Sequence, residues 1–190
     1  LTEKKIKQFD TQSMTISQEI EEFRMKAPHG MRITHDGSLL LMATEVSEFL
    51  YLINTADNQI LDVYAVDPIV PPNGNGTNLF IPYQVSITPD DKYAFISCMA
   101  SNDVRIFDIV NRAFLPAIPV GLKPLALEIT PDGRYCYVPN RNSNSVSVID
   151  VTTRSVIKTI SNVGAQPHKI DFTADGHYAY VTCESVSGSF

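Results

Sequence analysis

The sequence predicts an all-β chain assembled from a repeated four-stranded unit, and three observations predict it. A threonine that closes an apolar run recurs as Thr34, Thr88, Thr130 and Thr173, at spacings of 54, 42 and 43 residues. A polar residue that ends a later apolar run recurs as Asp10, Asn54, Asp108 and Asp150. In the three complete units it lies 20 residues beyond the threonine. Between these markers, short segments rich in Val, Ile and Tyr alternate with Gly, Asn, Asp and Pro, and no stretch sustains a helical period with caps.

The clearest unit gives the element order. Strand A covers residues 124–130, with Pro28, Pro82 and Pro167 standing where Pro124 stands. A tight turn follows, Pro131-Asp132-Gly133, matched by His35-Asp36-Gly37, Pro89-Asp90-Asp91 and Ala174-Asp175-Gly176. Asp bonds its own backbone there and Gly reaches positive φ freely. Strand B is 135–138, matching 93–96 and 178–181. A polar hairpin over 140–145 leads to strand C at 146–149, and a second hairpin over 150–154 leads to strand D at 155–160. About sixteen strands in groups of four are expected.

A period near 42 with four strands is that of a β-propeller blade. The chain has no tryptophan, which excludes a WD dipeptide, and no Gly-Gly pair marks a kelch repeat. The strand-B segments Tyr135-Cys136-Tyr137-Val138-Pro139-Asn140 and Tyr178-Ala179-Tyr180-Val181-Thr182-Cys183 resemble the YVTN repeat. So do Val146-Ser147-Val148-Ile149-Asp150 and the link from Val163-Gly164 to Pro167. With nearly the whole chain covered, the sequence is similar to the YVTN family of bacterial and archaeal propellers. The likeness is strong in the last two units and looser in the first, where residues 39–44 replace the tyrosine pattern. It implies a ring of seven or eight blades, commonly exported to the periplasm or the cell surface, and no single activity.

The unit boundaries place strands C and D of a partial blade in 1–27 and blades in 28–66, 79–121 and 122–164. An inserted loop occupies 67–78, and strands A and B of another partial blade occupy 165–190. About four blades are therefore present, cut mid-blade at both ends. Either they form a piece of a larger ring, or the two half-blades join to close a small one; the first is favoured because the repeat resembles larger rings. The expected partners are then the remaining blades of the same protein or another protein chain.

Composition limits the function. The net charge of −6 lacks the basic footprint of a nucleic-acid binder. The longest apolar runs, such as residues 39–43, are too short for direct membrane insertion. No signal-peptide pattern is present; the chain opens at Leu1 rather than Met, so this says nothing of an upstream segment. Three cysteines make an odd count and none sits in C-x-x-C, so neither a disulfide framework nor structural zinc is expected. Cys98 and Cys183 share a slot in blades that are not adjacent and are expected not to be bonded to each other.

In a propeller the D-to-A links and the B–C hairpins share one face. That loop face carries the insertion, whose Pro68, Pro71, Pro72, Gly74 and Gly76 predict a mobile loop without a core. It also carries the polar hairpin of Arg141 and Asn142. The slot after the strand-A proline holds His29, Tyr83, Leu125 and His168, near the channel mouth. His29, Tyr83, His168, Arg141 and Asn142 are the candidate binding residues. A further slot holds Arg32, Ser86, Glu128 and Asp171, expected to line the channel, with Arg32 paired to Glu128 or to Asp171. No catalytic residue, metal ligand or cofactor is assigned. The expected function is a non-catalytic binding or scaffold propeller working through its loop face. The alternative is the propeller domain of a haem- or copper-bearing oxidoreductase related to nitrite or nitrous-oxide reduction, with His29 and His168 as ligands.

Overall fold

The computed structural model describes residues 4–184. Seventeen strands form an open arc of three complete sheets flanked by two two-stranded ones. The first pair is β1 (Lys5–Asp10) and β2 (Thr15–Glu21). The first complete blade runs β3 (Pro28–Ile33), β4 (Leu39–Thr44), β5 (Phe49–Asn54), β6 (Ile60–Ala65). In the second, β7 (Pro82–Ile87), β8 (Tyr93–Cys98) and β9 (Asp103–Asp108) are followed by an outer strand in two pieces, β10 (Ala113–Phe114) and β11 (Ile118–Pro119), both pairing β9. Pro116 lies between the pieces and has no N–H to give the ladder, which accounts for the break and for the strand beyond the expected sixteen.

The third blade is β12 (Glu128–Ile129), β13 (Tyr135–Asn140), β14 (Ser145–Asp150), β15 (Ser155–Ser161), and the last pair is β16 (Pro167–Phe172) with β17 (Ala179–Cys183). All ladders within the blades are antiparallel. The two end pairs form separate sheets and do not pair with each other, so the arc stays open among the described residues. No helix there is long and apolar enough to cross a membrane.

The two sequence markers are turn devices. Each threonine hydroxyl donates to the aspartate two residues on: Thr34 to Asp36 at 2.6 Å, Thr88 to Asp90 at 2.7 Å, Thr130 to Asp132 at 2.6 Å and Thr173 to Asp175 at 2.5 Å. The same oxygen accepts the first amide of strand B, from Leu39, Tyr93, Tyr135 and Tyr178. The second marker caps the C–D turn: Asp10, Asn54, Asp108 and Asp150 each accept a backbone N–H two or three residues on. Both bonds close within a few residues, so their spacing is constant from blade to blade.

Blades are joined by a third device. Glu48, Asn102 and Asn144 sit at the B–C hairpin with φ of 60°, 58° and 49°. Their side chains accept the backbone N–H of the residue before the next strand-A proline: Ile81 at 3.4 Å, Lys123 at 2.8 Å, Gln166 at 2.9 Å. Between the sheets lies the core, in which Tyr51, Phe95, Phe107 and Leu127 are fully or almost fully buried. Strand A of the third blade is much shorter than expected. The Leu127 amide turns back to the Leu125 carbonyl, and the Ala126 amide leaves its own sheet to donate to the His168 carbonyl of the next blade at 3.2 Å. All three cysteines are free. Cys98 and Cys136 are buried, and Cys183 is exposed.

Candidate binding site at the loop-face rim

The slot after the strand-A proline brings three of its four residues together. His29 on β3 stacks on Tyr83 of β7, with ring centroids 4.1 Å apart and planes 30° apart. Its Nδ1 lies 2.8 Å from the Tyr83 carbonyl oxygen, so that nitrogen carries the proton and donates, leaving Nε2 turned outward. The Tyr83 hydroxyl lies 3.3 Å from Nε2 of His168 on β16, with the two rings edge-on at 6.2 Å. Tyr83 thus bridges the two histidines. The fourth residue, Leu125, is buried and does not reach the rim. Gly30 permits the approach of β3 to β7, since a Cβ there would stand 2.3 Å from the Tyr83 carbonyl oxygen.

Two carboxylates flank this triplet. Glu45 lies 3.8 Å from His29 Nε2, and Glu184 lies 3.8 Å from His168 Nε2. Glu184 is held by Arg141 at 2.7 Å, and this bond keeps its carboxyl below the usual carboxylate range, although partial burial opposes it. Burial, and then the negative charges of Glu45 and Glu184, push the Tyr83 phenol above its ordinary range. The triplet opens on a cavity of about 180 Å³ lined also by Gln84, Glu128 and Lys169. Asn142 lies further out, in an open groove with Arg141, Asn144 and Gln166.

Glu45 and Glu184 were not singled out from the sequence, yet the signal was there. Both stand eleven residues after the marker threonine of their blades, the slot that Met99 and Arg141 occupy in the others. The two blades with a histidine at the rim slot are the two with a glutamate here.

Deeper in the channel, Arg32 of the first blade pairs with Glu128 of the third. The other Glu128 oxygen accepts the Ser86 hydroxyl at 2.8 Å. Of the two partners left open by the sequence, Glu128 is the one taken; Asp171 is exposed and accepts from the neighbouring Phe172 amide. Among the described residues, no three His, Cys, Asp or Glu side chains gather so as to hold a metal ion.

The insertion is not the loose loop that its Pro and Gly content suggests. It is fastened to the hairpin of the first blade by Glu48, which is fully buried. One Glu48 oxygen accepts from the Thr77 amide at 2.6 Å and the Thr77 hydroxyl at 2.7 Å; the other accepts from the Phe80 amide at 2.9 Å. Val70 and Phe80 join the core. Arg105 donates to Asp67 at 3.0 Å and lies over the Phe80 ring at 4.6 Å. Gly76 packs so tightly that a Cβ would meet the Val46 carbonyl oxygen at 1.9 Å. The loop does lie with the B–C hairpins, as strand order requires. At the A–B turn, the His35 amide and ring nitrogen both bond Asp91 of the next blade.

Blades in series around an inner rim make this a β-propeller chain. A family model of YNCE-like β-propellers matches residues 62–187, and the chain belongs to that family. No curated protein matches it. Among solved structures it is similar to hydrazine synthase of Kuenenia stuttgartiensis, with 21% identity, 86% of this chain and 43% of that one covered, and a TM-score of 0.75. It is also similar to a functionally unknown protein of Desulfotomaculum acetoxidans (18% identity, 96% and 57% covered, TM-score 0.78). A third is the β-propeller domain of Cps50 (Swd1) from Myceliophteria thermophila (14%, 94% and 56%, TM-score 0.75). At these identities the likeness shows the fold alone. The chain spans about half the length of the structures it matches.

Proposed function

We propose that this is a non-catalytic binding or scaffold propeller of YVTN type, acting through its loop face within a larger, exported protein or complex. The observation that carries the reading is the convergence of His29, Tyr83 and His168, from three different blades, on one small cavity. Side chains brought together by separate repeats form a surface that no single repeat needs for its own folding. The buried Glu48 holds the insertion still beside that rim, so the face is preorganised rather than shaped on contact. The open edges of the end sheets fit pairing with further blades of the same protein or of another chain.

The test is affinity capture with the intact protein, quantified by mass spectrometry, for wild type, the His29→Ala/His168→Ala double variant, and His177→Ala, an exposed histidine just after the last A–B turn. Partners or ligands lost from the rim variant alone support the reading. Retention by the rim variant with loss from His177→Ala overturns it. Visible absorbance of the purified protein separates it from the alternative of a haem- or copper-bearing oxidoreductase, which requires a coloured centre.

A further inference from the structure

The rim contains one nitrogen with two rival partners. Nε2 of His168 lies 3.3 Å from the Tyr83 hydroxyl and 3.8 Å from a Glu184 oxygen. A bare Nε2 lone pair accepts the phenol proton and faces the carboxylate unfavourably. A protonated Nε2 does the reverse: it donates to the carboxylate, and the Tyr83 O–H loses its acceptor. We propose that His168 exchanges partners on proton uptake, from Tyr83 of the second blade to Glu184 of its own, and that this exchange opens the cavity it shares with Tyr83.

Histidine is the side chain whose charge ordinarily changes between pH 5 and 8. Glu184 is kept anionic by its bond to Arg141, with His168 and Lys123 adding to it, and the Tyr83 phenol is kept protonated by burial and by Glu45 and Glu184. Lys169 follows His168 on β16 and lines the same cavity. Across Tyr83, His29 repeats the arrangement. Its Nδ1 is committed to the Tyr83 carbonyl, and a proton on Nε2 turns it toward Glu45 at 3.8 Å. Both protonations therefore draw imidazoles toward carboxylates of their own blades. Only the His168 one breaks a bond between blades.

As regulation of ligand access this rests on the cavity being the ligand site; the partner exchange does not, and it is read with no ligand present. Histidine and tyrosine ring resonances of the intact, ¹³C-labelled protein are followed by NMR from pH 5 to 8.5. Tyr83→Phe removes the bond that favours the neutral ring, so the His168 midpoint rises, whereas Glu184→Gln removes the partner of the charged ring, so it falls. Each shift is expected to be about half a pH unit, the size of one modest hydrogen bond. In wild type the Tyr83 ring resonances move with the His168 midpoint, and this alone decides the matter if a variant fails to fold. Midpoints that stay put or move in the same direction in both variants overturn the exchange, as does a Tyr83 signal unchanged across the range. Partner capture that is insensitive to the rim, with the exchange intact, would refute the ligand site and leave the switch standing.

Discussion

Replacing Glu48 tests whether the insertion is a built part of the face. Its carboxylate is fully buried and accepts from the Thr77 amide, the Thr77 hydroxyl, the Phe80 amide and, at 3.4 Å, the Ile81 amide. Glu48→Gln keeps the size and the left-handed backbone conformation. It retains one oxygen, which can stay with Phe80 and Ile81, but turns an NH2 group toward the Thr77 donor. Hydrogen bonds to a charged acceptor contribute about 1.5–3 kcal/mol each. Water reaches the half-buried Thr77, and removing a buried carboxylate that has no ion-pair partner among the described residues recovers some desolvation. The net expected loss is about 2 kcal/mol, or about 4–8 °C in Tm for a chain of this size. Glu48→Ala is expected to cost more, about 4 kcal/mol, because it also orphans the buried Phe80 amide and leaves a void. Glu48→Asn is expected to fall between the two, at about 3 kcal/mol: asparagine holds the equivalent link to the residue before proline in the next two blades, but its shorter side chain leaves the Thr77 and Phe80 amides unbonded. Urea unfolding gives the energies, and hydrogen exchange at the Thr77 and Phe80 amides locates them. If Glu48→Gln lies within about 0.5 kcal/mol of the exposed control Glu21→Gln, with Thr77 and Phe80 protection unchanged, the insertion is not fastened as described.

Gly30→Ala places a methyl group against the Tyr83 carbonyl and the Gln84 Cα, so β3 and β7 must separate. It is expected to cost at least about 2 kcal/mol and to remove the upfield ring shifts of the stacked His29–Tyr83 pair, both measurable on one sample by urea titration and NMR. Thiol labelling of the native protein should modify Cys183 alone at first. Burial raises the Cys98 and Cys136 thiols, so these two react only in denaturant. Asp36, Asp132 and Asp175 are held below the usual carboxylate range first by the threonine hydroxyls of their turns. Their folded-state values lie below the unfolded ones, so this stabilisation is present above about pH 4 and is lost as pH falls through the folded values. The urea midpoint should drop on acidification, and Thr130→Val should flatten that drop; an unchanged acid limb would count against the turn as its source.

The sequence by itself determined the fold class, the unit length, the order of strands and the face on which each loop lies. These rest on bonds that close within two to five residues, such as Thr130 to Asp132 or Thr153 to Asp150, so constant spacing exposes them. It also placed His29, Tyr83 and His168 in one slot. It did not determine that they meet, because that distance depends on how closely neighbouring blades wedge, and Gly30 and the Ala126–His168 backbone bond decide it across seams. The choice of Glu128 over Asp171 for Arg32 was open for the same reason and is settled by Ser86, which stands in the intervening blade and shares the Glu128 carboxylate. The insertion misled for a different reason. Its Pro and Gly content describes what the loop can bury by itself, whereas its anchor is a carboxylate on the hairpin of the preceding blade, in a slot where the other blades carry asparagine. Local chemistry repeats with the chain, but contacts between blades belong to the packing of the arc, and only the tertiary structure decides those.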